Sequence, residues 1–451
     1  MKKLLVVLLS LGLIVVFGMT ASAADVKFGG SYYVVGVYEN NPSLSDNGYS
    51  HAFFYQRFRL QPVFTIAEGL TFTARFDAME KQWGNTNWKG GTDDLTSSRK
   101  TTVGVAGTNQ KIQESIEFER AYVTFLTGIG AFQVGYQNVD DWGTDFGDYS
   151  NSRNRIAFVT KAGPMTINLV YEKPYENDTA GATPNNAVAA DNDTYALSGI
   201  YNGKDMEAGL LYKYYSYNSN KPIGVTTSMH QLSPYMKATF GPVYVEGEAT
   251  YWFGKSKNME APYLGGTVDQ KLKAQSFYIK GKYSFGPAYA GALFAYSSGD
   301  DLSDPSQDTT AKSGGGTNFT PALILMNDPL NTWTAASGLT STTSGTNVTT
   351  NKYNMIIYNA FVGFNPTPKL NVEAALTAAS VDKKELTATT QAVSNKLGTE
   401  FDVKATYKIY DNLTYMVAAG YLWTGDYFKL ADPKKNLGND YIIENQLTLS
   451  F

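Results

Sequence analysis

From residue 26 onward the chain alternates apolar and polar side chains with a period of two. Phe28, Gly30, Tyr32, Val34, Gly36 and Tyr38 share one parity, with Lys27, Gly29, Ser31 and Tyr33 between them. The same alternation runs through Leu70 to Ala78, Val243 to Phe253 and Phe401 to Ile409. Period two, with β-branched and aromatic residues gathered on one parity, predicts strands with one apolar face. The segments run from nine to sixteen residues, whereas strands of soluble sheets average about 5–6. A tilted strand needs about 9–11 residues to cross a bilayer with one face in lipid and the other in water.

About eighteen such segments follow one another, from 26–38 to 440–451, with sixteen as the alternative count if the short 130–138 and 153–162 pieces or the 270–298 hairpin are misread. The links between them alternate. One set is tight: Ala67-Glu68, Thr127 to Ile129, Ala162-Gly163, Gly203-Lys204, Gly241, Gly286, Asn365 to Thr367, and Tyr410-Asp411. The other set is longer and polar, with extremes near 83–111 and 299–351. Short turns at one end and long loops at the other predict an all-β, transmembrane, antiparallel meander barrel, with periplasmic turns and extracellular loops. Closure pairs every backbone group that lipid cannot satisfy.

The N-terminus fits this topology. Met1, Lys2 and Lys3 precede the apolar run Leu4 to Phe17, and Ala21-Ser22-Ala23 is a small-residue cleavage site. Residues 1–23 therefore read as a secretory signal peptide, and 24–451 as the barrel. Composition narrows the function classes. Only 17% of residues are charged, the formal net charge is -4, and cysteine is absent. These values argue against a charge-rich disordered chain, a cysteine-ligated metal site, a disulfide scaffold and a nucleic-acid partner. Tyr is the most abundant aromatic, with 32 copies. Many, such as Tyr32, Tyr136, Tyr251 and Tyr441, share the apolar parity, where barrels place interfacial girdles.

With the apolar parity assigned to lipid, the other parity lines the interior. Arg57, Arg59, Arg75, Arg120, Arg153 and Arg155 fall on it in strands two, three, four and six and form a candidate basic wall. Asp77, Glu246, Glu248, Glu400, Asp402, Lys237 and Lys404 are further pore-lining candidates. Opposed basic and acidic walls would set a field across a water-filled pore; the alternative is that the charges pair and brace the wall. Parity falters in 112–126, where Glu117 and Glu119 share a face with Ala121, Val123 and Phe125; a bulge would explain it, and so would a strand that rises above the bilayer, where outward charge is cheap.

The 299–351 segment is too long for a simple turn. It holds an apolar insert from Phe319 through Leu323 to Met326 and on to Trp333. This insert points to a long extracellular loop folded inward to narrow the pore, with 319–333 packed on the wall; a loose external loop is the alternative. Loop 83–111, with Trp83 and Trp88, is a second candidate lid. His51 and His230 stand in no catalytic spacing, and no phosphate-binding glycine motif is present. Asp140-Asp141, Asp191-Asn192-Asp193 and Asp300-Asp301 offer calcium in outer loops as the one candidate cofactor; they match no complete loop motif, and no metal site is assigned.

The final segment carries Tyr441, Ile443, Leu447, Leu449 and Phe451 on one parity, and Phe451 resembles the terminal aromatic by which outer-membrane barrels are recognised for assembly. The chain resembles the Gram-negative outer-membrane porins, within them the large porin-like and alginate-export-like barrels. Gln56-Arg57-Phe58-Arg59-Leu60, Arg120-Ala121-Tyr122-Val123, Val134-Gly135-Tyr136-Gln137 and Gly398-Thr399-Glu400-Phe401-Asp402 carry the resemblance. It implies passive diffusion of ions and small hydrophilic solutes through a water-filled channel, without cofactor or enzymatic chemistry. It also implies residence in the outer membrane against lipopolysaccharide, insertion by the barrel-assembly machinery, and a homotrimer. A selective channel or exporter for anionic sugars and a non-conducting structural or adhesive barrel are the alternatives.

Overall fold

The computed structural model describes residues 25–83, 116–176, 191–219, 225–258, 269–313, 315–316, 318–326 and 353–451. Alternating side chains send one parity of each strand outward and the other inward, so a sheet that closes on itself separates two environments. Nineteen strands form that sheet, and one, Gln307–Asp308, is a two-residue segment beside the top of a wall strand, which leaves eighteen in the wall. They are β1 (Asp25–Glu39), β2 (His51–Ala67), β3 (Leu70–Gln82), β4 (Glu117–Thr127), β5 (Gly130–Val139) and β6 (Asn151–Ala162). Next come β7 (Met165–Tyr175), β8 (Asn192–Asn202), β9 (Met206–Tyr217), β10 (Val225–Phe240), β11 (Val243–Asn258) and β12 (Gln270–Phe285). The wall ends with β13 (Ala288–Ser297), β14 (Met355–Thr367), β15 (Leu370–Ser380), β16 (Lys396–Tyr410), β17 (Leu413–Thr424) and β18 (Asp440–Ser450). The wall thus has the larger of the two strand counts the sequence allowed, and both short segments, 130–138 and 153–162, are wall strands.

Every strand pairs antiparallel with its neighbours in sequence, and β18 returns to β1 with Glu39 opposite Ile442 and Ser31 opposite Ser450. No open edge remains in the wall. Phe451 seals the seam. Its carbonyl accepts from Gly30 N at 2.8 Å, and its N–H donates to Gly30 O at 3.1 Å. A Cβ on Gly30 would meet the Phe451 ring at 2.8 Å, so glycine there lets the ring lie over β1.

Outward side chains are large and apolar. Phe240, Tyr251, Ile279, Tyr283, Phe285, Tyr358, Tyr407 and Trp423 are all exposed. Two bulges adjust the inward row. In β4, Arg120 lies opposite Arg75 but Phe118 lies opposite Phe76, so Glu119 is an extra residue. Phe118 consequently faces outward against Phe76, and Glu119 turns toward Arg75. This is the bulge that the faltering parity of 112–126 called for. In β3, Ala78 opposes Phe58 and Lys81 opposes Gln56, which leaves Met79 and Glu80 against Arg57 alone. Met79 takes a φ of 57° there. The extra residue brings Glu80 onto the same inner face as Asp77, although their spacing of three would separate them in a regular strand.

The largest apolar cluster lies inside the barrel, toward the long-loop end. Val35, Val37, Tyr278, Met355, Ile357, Leu397, Leu422 and Ile442 project inward and pack against Phe319, Ile324, Leu325 and Met326 of the β13–β14 loop.

Candidate functional site

The interior is built from the inward row and two loops that turn into it. The β5–β6 loop, residues 140–150, is the first. Trp142 donates its indole N–H to Ser233 O at 3.0 Å and packs edge-on against Tyr235. Thr144 donates from both its backbone N–H and its hydroxyl to Glu248 Oε2, at 2.8 and 2.9 Å. Phe146 stacks on Tyr278 with ring centroids 5.3 Å apart. The loop passes close over the carboxylate: a Cβ on Gly147 would lie 1.9 Å from Glu248 Oε1 and would have to push it aside, away from Thr144. Beneath it, Glu246 accepts from the Tyr278 and Tyr244 hydroxyls, both at 2.7 Å, and pairs with Lys280. No sequence signal marks this loop, which is short and carries no long apolar insert.

The second is the β13–β14 loop. Glu400, fully buried, accepts from the backbone N–H groups of Ile324 and Leu325 at 2.7 and 2.8 Å. Asn359 and Thr377 both donate to Pro321 O. The segment 319–326 is therefore fastened to the inner faces of β14, β15 and β16. Phe319 meets Phe146 edge-on, and Gly316 N donates to Phe146 O, so the two loops touch each other inside the barrel. Of the residues expected in this insert, Phe319 and Leu323 lie inside the barrel, and Trp333 lies outside the described residues.

These contacts correct the assignment of the acidic candidates. Glu248, Glu400 and Asp402 face inward, but they are buried under the loops rather than lining open water. Parity alone places a side chain on the lumen face and says nothing about what later covers it. Lys237 pairs with Glu207 at 3.7 Å and Lys404 with Glu373 at 3.4 Å, both partly exposed. Trp83 is also not a lumen lid. It stacks on the outer face against Phe54 and donates to Gln56 Oε1, while Trp88 lies outside the described residues.

Among the described residues the two loops cover β10–β12 and β14–β16, and the side of the lumen formed by β2–β6 holds the arginine row: Arg75 is buried, and Arg57, Arg59, Arg120, Arg153 and Arg155 are partly exposed. Arg59 grips Asp77 through Nε and Nη2 at 2.7 and 2.6 Å, and Arg57 reaches Asp77 and Glu80 while lying over the Tyr33 ring. Arg75 pairs with Glu119 at 3.7 Å and is the Cα partner of Arg120. Arg120 Nε is buried without an acceptor. Arg153 pairs with Asp140 and Glu172, and Arg155 donates to Gln137 Oε1. Lys213 of β9, which the sequence reading did not single out, extends the row and pairs with Asp140 at 2.7 Å. Burial would raise the Asp140 carboxyl, but Lys213 and Arg153 outweigh it and hold it down at about 2. Asp77 and Glu172 are almost fully buried beneath the cations, whereas Arg57, Arg59 and Arg153 keep about a quarter of their side-chain surface open. Glu119 and Asp140 keep a similar share, so the charge left to the lumen on this side is mixed, with cations in excess.

A family model described as Gram-negative porin matches residues 10–318. The chain belongs to the Gram-negative porin family. The porin's fold is similar to that of OccAB1 from Acinetobacter baumannii, at 10% identity and a TM-score of 0.54 over 95% of this chain and 96% of that one. It is likewise similar to OccK8 (OprE) from Pseudomonas aeruginosa, at 11% identity and a TM-score of 0.50 over 94% of this chain and 98% of that one. No curated protein matches it significantly by sequence. The porin is a channel for passive diffusion of solutes across the outer membrane, and not an enzyme. Among the described residues no group of three or more His, Cys, Asp or Glu is placed to hold a metal. Of the acidic clusters suggested for calcium, Asp140 is tied to Lys213 and Arg153, and Asp191 and Asp193 to Lys173. Asp300 accepts from Thr309, and Asp301 from Ser303. His51 bonds Glu39 at the rim, and His230 stacks on Phe253.

Proposed function

We propose that this porin is an anion-preferring diffusion channel whose pore runs along the arginine wall. One observation carries the reading. The two inward loops bury Glu248, Glu400 and Asp402 on one side of the lumen, while on the other side Arg57, Arg59 and Arg153 cover Asp77 and Glu172 and keep about a quarter of their own side-chain surface. A narrow, low-dielectric passage with one sign of exposed charge in excess concentrates counter-ions and guides them through. The segment 319–326 and the β5–β6 loop act as its constriction. Their apolar packing inside the barrel leaves less room for a polymer conduit than a bare wall of eighteen strands would.

Export through a cleaved leader at 1–23, recognition of Phe451 during barrel assembly, a lipopolysaccharide outer leaflet and a homotrimer belong to the same reading and rest on the sequence pattern and the family. Liposome swelling tests the selectivity. Vesicles carrying the protein should admit small carboxylates faster than zwitterions or amines of equal size. Equal rates for all three would overturn the anion preference while leaving the channel in place.

A further inference from the structure

Strands β11 and β12 are longer than the bilayer requires. Outward positions of β11 read Val243, Val245, Gly247, Ala249, Tyr251 and Phe253, then Lys255 and Lys257. The ten steps from Val243 to Phe253 rise about 33 Å at roughly 3.3 Å each. A strand tilted by about 40° turns that into roughly 25 Å of height, the thickness of a barrel's apolar band. Lys255 and Lys257 therefore stand just above the band on the long-loop side. On β12 the outward row below the loop is Lys271, Lys273, Gln275, Phe277 and Ile279. Register places Lys271 opposite Lys255, and Lys273 opposite Phe253.

Four exposed lysines thus share one patch of the outer wall, directly over the aromatic residues Tyr251, Phe253 and Phe277. Like charges opposite one another on adjacent strands are destabilising unless an anion lies between them. No carboxylate of the described residues forms an ion pair with any of the four. On the neighbouring loop Asp308 pairs with Lys312, and Asp304 bonds Ser306 and Gln307 and reaches Lys271 only as a through-space charge, without an ion pair. The contrast with β7 is direct, because outward Lys173 is held by Asp191, Asp193 and Glu176. Below the patch and toward β15, the row Gly281, Ala292, Ala360 is built of small residues in register across β12–β14. With Ile279, Phe294, Tyr358 and Leu376 they line an apolar groove of about 600 Å³.

We propose that this patch is a binding site for a phosphorylated glycolipid of the outer leaflet, its phosphates between Lys255, Lys257, Lys271 and Lys273 and an acyl chain in the groove below. The proposal rests on the reading that the wall lies in the outer membrane with the β11–β12 hairpin facing outward. Each lysine close to an anionic headgroup contributes about fivefold in binding, so the quartet is worth on the order of a hundredfold or more.

The test uses the full protein in phosphatidylcholine vesicles containing either diphosphoryl lipid A or its fully dephosphorylated form. Lipid retained per protein after detergent extraction is counted by native mass spectrometry. Wild type should retain the diphosphoryl form selectively, and the variant with Lys255, Lys257, Lys271 and Lys273 all changed to Gln should lose on the order of a hundredfold. The milder Lys255→Gln, Lys271→Gln pair should lose roughly twentyfold and serves if the quadruple variant fails to insert. Equal retention by wild type and either variant overturns the proposal, as does equal retention of both lipids. Displacement by millimolar inorganic phosphate alone overturns it in favour of a free-anion site. Conductance of the same vesicles separates the two readings: channels without headgroup preference sink this site alone, whereas selective retention without channels upholds it and sinks the channel reading.

Discussion

Changing Glu400 to Ala should release the β13–β14 loop from the wall. The side chains of Phe319, Ile324, Leu325 and Met326 are all buried. At about 1.5–3 kcal/mol each they contribute roughly 6–12 kcal/mol to the inward position. The two charge-assisted hydrogen bonds to Glu400 add about 1.5–3 kcal/mol each, or roughly 3–6 kcal/mol. Ordering the eight residues 319–326 costs about 1–2 kcal/mol apiece, or roughly 8–16 kcal/mol. The balance is a net preference of about 1–2 kcal/mol, smaller than the contribution of the carboxylate. Alanine would also leave the Ile324 and Leu325 N–H groups buried without acceptors. The loop should then spend most of its time away from the wall, while the hydrogen-bonded barrel stays intact. Single-channel recording in a planar bilayer reads this directly. The expected result is a larger mean conductance with added fast current noise, with Glu400→Gln intermediate because one acceptor oxygen remains. Wild-type conductance and noise in Glu400→Ala, with the protein inserted normally, would show that the loop does not depend on this carboxylate.

Gly147→Ala should push the Glu248 carboxylate off Thr144 and loosen the β5–β6 loop, and conductance should rise with a loss of thermal stability of about 1–3 kcal/mol. Asp77→Asn should strengthen anion preference measured by reversal potential, because it removes the carboxylate that pairs with Arg59 and Arg57. Burial and the neighbouring Asp141 push the Asp148 carboxyl up to about 6. A carboxyl with a higher pKa in the folded loop than in the free chain holds its proton more tightly there. The inward loop is therefore favoured at pH below the ordinary carboxylate value and loses that advantage as pH rises through about 6. Channel noise should increase between pH 4 and pH 7, and Asp148→Asn should remove the dependence.

The wall was legible because both its constraints are periodic. A strand in lipid must present an apolar row of fixed length, and a meander must alternate tight turns with longer loops; both leave marks that need no knowledge of tertiary contacts. The Glu119 bulge was legible for the same reason, as a break in parity. Its counterpart at Met79 was not, because a spacing of three assigns Asp77 and Glu80 to opposite faces and nothing in the pattern shows that an extra residue brings both inward. The constriction was half legible. The apolar insert around Phe319 stands out from a Thr-, Ser- and Gly-rich loop, but the β5–β6 loop enters the lumen through one Trp, one Thr and one Phe that meet partners about a hundred residues away. The role of the acidic residues was hidden by the same long-range contacts. Inward parity is shared by Arg59 and Glu400, and only the loop lying over Glu400 makes the first a lumen charge and the second an anchor.

Reversal potential across a bilayer separating unequal KCl solutions bears most directly on the pore that the structure describes. With the arginine wall partly exposed and the opposite carboxylates covered, wild-type channels should favour chloride, and changing Arg57, Arg59, Arg75, Arg120, Arg153 and Arg155 to Gln should bring the potential to zero or reverse its sign. Cation preference in the wild type, or a potential that does not move in the variant, would contradict a pore that runs along the arginine wall.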